Sequence, residues 1–324
     1  MQFKTSTAAL RDANSRILID LAKKDSRIVV LDSDLLNASG LAAFNKEFPG
    51  RTFNCGIQEA NMAGAAGGLS SMGLIPVIHS FASFASRRMT DQVFMSGVYA
   101  EQNIKILGTD PGAANSANGG THMALEDTGI MRSMPDITIV SPTDETMLES
   151  ILPGIIETYG MFYIRLVRKS SIVVYEAGTN FTLGKAHIAR PGTDITIIAE
   201  GAIMVPEALK AADRLEQLGI SARVLDMFTI KPLDREAVIS AARETGAVLT
   251  AENHNILNGL GSAVAEVLAE ERLAVPFGRI GFRDVLGQTG TVPYILETYG
   301  MDAAHITEAA KKLVSEKVQA GSRI

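Results

Sequence analysis

Residues 56–73 read GIQEANMAGAAGGLSSMG, and Glu59 is the one charged side chain in the stretch. An acid in such surroundings has two uses. It can sit at a helix N-terminus, where exposed N–H groups and the dipole favour it, or it can be a catalytic acid tuned by a dry pocket. The Ala and Gly that follow let a backbone or a flat ligand come close. Phe81 and Phe84 lie three apart in HSFASFASRR, a spacing that by itself means core packing; Arg87 and Arg88 after them are by type solvated or paired cations. His122 stands behind two glycines in GGTHMALED, and a lone histidine is either a satisfied structural residue or a proton-transfer group. Arg165 and Arg168 in YIRLVRKS, and Asp32 and Asp34 in VLDSDLLNASG, fall at or past strand ends. His79 and His254 read as structural.

The elements that must position these residues are short β-branched runs, each followed by enough chain for a helix: RIVVLDSD, LIPVIHSF, NIKILGTD, DITIVSP and MFYIRLV. Continuous apolar runs of this length are buried parallel strands. The helix pattern DETMLESILPGIIETYG places Asp144 and Glu145 at its positive end and Gly160 past its end. From 171 to 193 the helical period is lost and Gly, Pro and polar residues gather, which reads as a linker. The βα alternation then restarts with DITIIAEG, ARVLDMFTI, GAVLTAEN and GRIGFRDV. Alternation on both sides of a linker predicts two doubly wound, mostly parallel α/β domains over 1–170 and 194–324. The carboxyl edge of such a sheet is where ligands bind, which gives Arg165 and Arg168 a reason to lie there. In the second domain, Gly259 and Gly261 before a helix resemble a phosphate loop only weakly, because the rest of a dinucleotide fingerprint is missing.

Composition narrows the function classes. A chain of 324 residues, 46% hydrophobic and 20% charged, has material for two cores. A net charge of −6 with scattered Lys and Arg excludes a nucleic-acid surface. The single cysteine, Cys55, excludes an internal disulfide, no apolar run is long enough to span a bilayer, and the N-terminal segment lacks an apolar signal core; a cytoplasmic protein is expected.

The stretch FNCGIQEANMAGAAGGLSSMGLIPVIHSFASFASRRMTDQV resembles the pyrimidine-binding domain of thiamine diphosphate enzymes, specifically the transketolase family. The likeness continues through GGTHMALEDTGIMRSMPDITIVSPTDETM and through IKPLDREAVISAARETGAVLTAENHNILNGLGSAVAE, so it covers nearly the whole chain. It implies that Glu59 hydrogen-bonds the cofactor's pyrimidine nitrogen, driving the tautomer that deprotonates the thiazolium. Phe84 would stack on the aminopyrimidine, with Phe81 a neighbouring wall. Arg87 stands where the family often has another aromatic against the cofactor. Asp34, or Asp32 in its place, resembles an acid near the cofactor and the subunit contact. His122 would face the reacting sugar and assist proton transfer, and Arg168 would hold the substrate's terminal phosphate.

The resemblance also implies what must come from elsewhere. No Gly-Asp-Gly followed by Asn is present, the element that in the family holds Mg2+ and the diphosphate. The expectation is therefore the C-terminal subunit of a split transketolase, active with an N-terminal diphosphate-binding partner, two copies of each chain together, with the second domain building the dimer. The reaction expected is transfer of a two-carbon ketol unit from a ketose phosphate to an aldose. Departures from the pattern lie four and twelve positions before His122, where the family has Asp and His in the substrate channel and this chain has Asn118 and Asp110. They predict an unusual sugar phosphate. The rival readings are the β subunit of a 2-oxo acid dehydrogenase E1, a deoxyxylulose phosphate synthase fragment, and a non-catalytic assembly or regulatory subunit.

Overall fold

A computed structural model describes residues 4–321. It contains a seven-stranded sheet in the order Thr229–Lys231, Ile137–Val140, Met161–Leu166, Lys105–Thr109, Ile75–Phe81, Ile28–Asp32, Thr52–Asn54. Neighbours pair in parallel except for Thr229–Lys231, which runs antiparallel along one edge. A five-stranded sheet has the order Phe277–Phe282, Val248–Asn255, Ile195–Ala199, Ala222–Asp226, His187–Arg190, and only the last runs antiparallel.

The central strands are buried along their whole length: Ile28–Asp32, Lys105–Thr109 and Ile195–Ala199 have no exposed position. That is why they read as continuous apolar runs rather than alternating ones. Helices cover both faces of each sheet. One face of the first sheet packs Leu10, Leu18, Leu148 and Ile151 from helices Leu10–Lys24 and Glu145–Glu157. The other packs Met62, Ala66 and Met131. Asp144 caps its helix as its position suggests, accepting from the Met147 N–H at 3.0 Å.

Two segments depart from the sequence expectation. ARVLDMFTI is not one strand of the second domain. It breaks after Asp226 and crosses between sheets: the Met227 N–H donates to Ala199, the Phe228 carbonyl accepts from Ser141, and Thr229 then pairs with Val140. Both halves carry apolar and β-branched residues, so periodicity could not mark the break. The segment 171–193 carries two short strands. Ile172–Val173 pairs with Lys4–Thr5, and His187–Arg190 edges the second sheet.

The chain reverses its direction of winding at Ile28–Asp32 and Ile75–Phe81. From the former the next strand is laid to one side, from the latter to the other. The crevice outside the carboxyl ends of such a strand pair is the ligand-binding position of doubly wound sheets. Asp32, His79, Ser80 and Phe81 lie at that end.

Candidate active site

Glu59 is the first residue of helix Glu59–Ser71 and is 3% exposed. It does not act as the N-cap; Gln58 holds that position without a side-chain bond. Its carboxylate faces the crevice, where Oε1 accepts from the Ser80 hydroxyl at 3.0 Å. The small residues of this helix serve its neighbour: a Cβ on Gly67 would meet the Ser96 carbonyl oxygen at 2.6 Å, so the glycine permits close approach of segment Val93–Val98.

Helix Ala82–Arg87, following strand Ile75–Phe81, brings Phe84 and Arg88 one turn apart. The Arg88 guanidinium lies over the Phe84 ring, 3.9 Å from its centroid, and its Nη1 donates to both Glu59 oxygens at 3.2 Å. A flat, donor-bearing group is thus held by Glu59 and Phe84 together. An aminopyrimidine ring has the same two attributes, so these residues fit the cofactor that the sequence implies.

The His122 ring packs edge-on against Phe84 at 5.2 Å and Phe81 at 6.1 Å. Its loop is pinned from two sides. Arg87 donates to the Thr121 carbonyl at 2.6 Å and lies 3.2 Å from Glu126, whose carboxyl burial pushes up against the pull of that arginine. On the other side, a Cβ at Gly120 would collide with the Gly287 carbonyl oxygen. The glycines before His122 therefore let the second half of the chain press against the loop. Arg168 closes the row: its guanidinium lies 4.6 Å from the Phe81 centroid and pairs with Asp110 at 2.6 Å.

Glu59, Arg88, Phe84, His122, Phe81, Arg168 and Asp110 form one continuous line of contacts, with Arg88 bridging Glu59 and Phe84. Arg87 joins it through the His122 loop rather than through Glu59. Asp34 is exposed, with Oδ1 accepting from Asn54 at 3.0 Å, and Asn118 is exposed, donating to Asn115 at 2.8 Å; neither touches the line. Asp32 is instead fully buried, with Oδ2 2.7 Å from Nδ1 of His79, whose Nε2 lies 3.0 Å from Thr109. Arg165 is engaged in a buried cluster, 2.9 Å from Asp127 and 2.8 Å from Glu200. At Gly259 and Gly261 the helix N-terminus is filled by the chain's own carboxylate: Glu252 accepts from the Leu260 and Gly261 N–H groups at 2.7 and 2.9 Å, and burial raises its pKa to about 8.

Residues 6–171 match the family model for the transketolase pyrimidine-binding domain, and residues 184–306 match that for the transketolase C-terminal domain. The chain belongs to the transketolase family. It is 47% identical to the 6-deoxy-6-sulfo-D-fructose transketolase subunit SqwH of Clostridium sp. (strain MSTE9), over 95% of each chain. It is 36% identical to a subunit of the apulose-4-phosphate transketolase of Phocaeicola vulgatus, over 95% of this chain and 98% of that one. A solved split gene transketolase, an inactive beta4 tetramer, superposes with a TM-score of 0.88 at 41% identity, covering 95% of this chain and 99% of that one. The family's pyrimidine-binding domain implies thiamine diphosphate as cofactor.

Sequence reading missed Ser80, the contact of Arg88 with Glu59, the buried Asp32–His79–Thr109 chain, and the approach of Gly287 to the His122 loop. The Phe84–Arg88 spacing of four signals only that these two share a helix face; all four missed features depend on how strands, helices or domains are laid against one another.

Proposed function

We propose that this chain is the C-terminal subunit of a two-subunit transketolase that moves a two-carbon ketol unit from an unusual ketose to an aldose acceptor. The observation that carries this reading is the shared grip of Glu59 and Phe84 on one planar donor group, at the switch point of the sheet. When bound, thiamine diphosphate supplies the electron sink for breaking the ketol's carbon–carbon bond. The chain's own residues have separate tasks. Glu59 holds the pyrimidine nitrogen, with its rotamer fixed by the Ser80 hydroxyl. Phe84 stacks on the ring and Phe81 walls the site. His122, edge-on to both rings, presents its imidazole to substrate oxygens and transfers a proton there. Arg168 faces the far end of the donor.

The diphosphate and Mg2+ are assigned to the N-terminal partner chain. Among the described residues, no group of three or more His, Cys, Asp or Glu side chains is arranged to hold a metal. Ile57, Met95 and Tyr99 are exposed apolar surface that suits partner chains, and two copies of each subunit are the expected assembly. A cytoplasmic location fits the single cysteine; no helix among the described residues is long and apolar enough to cross a membrane. Domains over 1–170 and 194–324 joined by 171–193 agree with the family match ending at 171, while the pairing of His187–Arg190 favours a second boundary nearer 184.

The named relatives are transketolase subunits for 6-deoxy-6-sulfo-D-fructose and for apulose 4-phosphate, and these are the first donors to try. The complex reconstituted with its diphosphate-binding chain, thiamine diphosphate and Mg2+ transfers the ketol unit. Glu59→Gln lowers kcat by at least about a thousandfold, ~4 kcal/mol of barrier, while assembly is retained. Near-native turnover by Glu59→Gln overturns the assignment.

A further inference from the structure

The Arg168–Asp110 pair lies at the end of the line of contacts, away from Glu59. Asp110 is 1% exposed and has a left-handed backbone, φ 51°. Its Oδ1 accepts from the Arg168 backbone N–H at 2.7 Å, and its Oδ2 accepts from Nε of Arg168 at 2.6 Å and lies 2.6 Å from Nη2 as an ion pair. Asp110 cannot turn away. Its own N–H donates to the Leu166 carbonyl at 2.8 Å, and the next turn is clamped by Asn253, which donates to Pro111 at 2.9 Å and accepts from Ala113 at 2.8 Å. The nearby cation Arg11 reaches the same Ala38 carbonyl as Arg168 and lies 3.6 Å from Asp12. Each guanidinium at this edge already has a carboxylate.

We propose that Asp110 is a specificity-determining residue that, by holding Arg168 in a permanent pair, sets the far end of the site for a donor ending in a monoanionic sulfonate in preference to a dianionic phosphate. The proposal rests on the reading that Arg168 faces the donor's terminal group. Of the five N–H groups of a guanidinium, the Nε–H of Arg168 is donated to Asp110, and Nη2 lies beside the same oxygen as an ion pair. The hydrogens of Nη2 and the second hydrogen of Nη1, whose first reaches the Ala38 carbonyl at 3.5 Å, are donors for the oxygens of a tetrahedral anion. A sulfonate accepts them while bringing a single charge. A phosphate brings a second charge toward the fixed Asp110 carboxylate, and one extra like charge in a partly buried site is worth roughly tenfold to a hundredfold in an equilibrium constant.

The phosphate group itself supplies the test, because it gains its second charge near pH ~6 whereas a sulfonate stays monoanionic. With the reconstituted complex, kcat/KM is measured for 6-deoxy-6-sulfofructose and fructose 6-phosphate between about pH 5 and about pH 8. The wild-type phosphate-to-sulfonate ratio falls about tenfold as pH rises through ~6. Asp110→Asn, which suits a left-handed backbone, raises the ratio about tenfold above pH ~7 and flattens its pH dependence. A wild-type ratio that is flat or rises overturns the proposal, and should the variant fail to fold, this profile alone decides. Erythrulose, an uncharged ketose, is run with the wild-type complex. Turnover of erythrulose with a flat ratio removes only the role of Asp110. Failure of all three donors removes the functional reading and this proposal with it.

Discussion

Arg88 makes, on Glu59 and Phe84, the two contacts that the proposed function gives to a pyrimidine ring: a donor edge against the carboxylate and a flat face on the aromatic. On that proposal, loading the cofactor displaces it. The Arg88 side chain is half exposed although Glu59 is buried, so the grip is modest: a cation–π contact and an ion pair screened on the arginine side together are worth about 1 kcal/mol. In the reconstituted complex, Arg88→Ala therefore lowers the half-saturating thiamine diphosphate concentration about threefold to tenfold, measured by titrating activity against cofactor. An unchanged or weakened affinity would show that Arg88 supports the site rather than covering it. The spacing of Phe84 and Arg88 is legible in the sequence, since a helix brings residues four apart onto one face. Their meeting with Glu59 is not, because it depends on how helix Glu59–Ser71 is laid against strand Ile75–Phe81. The same holds for Asp32, His79 and Thr109, which touch only because their three strands are neighbours.

The strands themselves were largely readable. RIVVLDSD, LIPVIHSF, NIKILGTD, DITIVSP and MFYIRLV each contain one buried strand of the first sheet. What local pattern could not reveal was sheet membership, as ARVLDMFTI shows. Its hinge residue, Asp226, is fully buried; Oδ2 accepts from Thr143 at 2.5 Å and Tyr175 at 2.7 Å, while Oδ1 has no partner. Burial pushes its carboxyl from 3.8 up to about 7. An acid with a raised folded pKa contributes stability that is fully present below about pH 4 and is lost as pH climbs through about 7. Asp226→Asn keeps an acceptor for Thr143 and Tyr175 and removes the titration. The melting temperature of the variant relative to wild type accordingly rises between about pH 5 and about pH 8, by roughly 5 °C for ~2 kcal/mol. A difference that shrinks with pH would place the charge change elsewhere.

The two sheets are joined by buried chemistry. Arg165 of the first sheet pairs with Glu200 beside the second, its Nη2 donates to the Asn253 carbonyl at 3.0 Å, and Gly120 meets Gly287 next to the His122 loop. The second half thus helps to set the site although it carries none of the residues in the line from Glu59 to Arg168. Completion of that site from outside is expected at the level of the assembly. The isolated chain shows no ketol transfer at any thiamine diphosphate concentration, and activity appears on adding the diphosphate-binding chain, with both polypeptides co-eluting. Full activity from this chain alone would contradict the arrangement. The antiparallel strand Thr229–Lys231 has an evolutionary consequence as well. A recombination event that replaced residues after 171 with a poorly matched relative's would strip Ile137–Val140 of its outer neighbour and leave a bare edge open to self-pairing between molecules. Exchange of one half alone therefore costs a matched edge, and a change in the packing of Phe228 or Ile230 calls for a compensating change in the half that it crosses into.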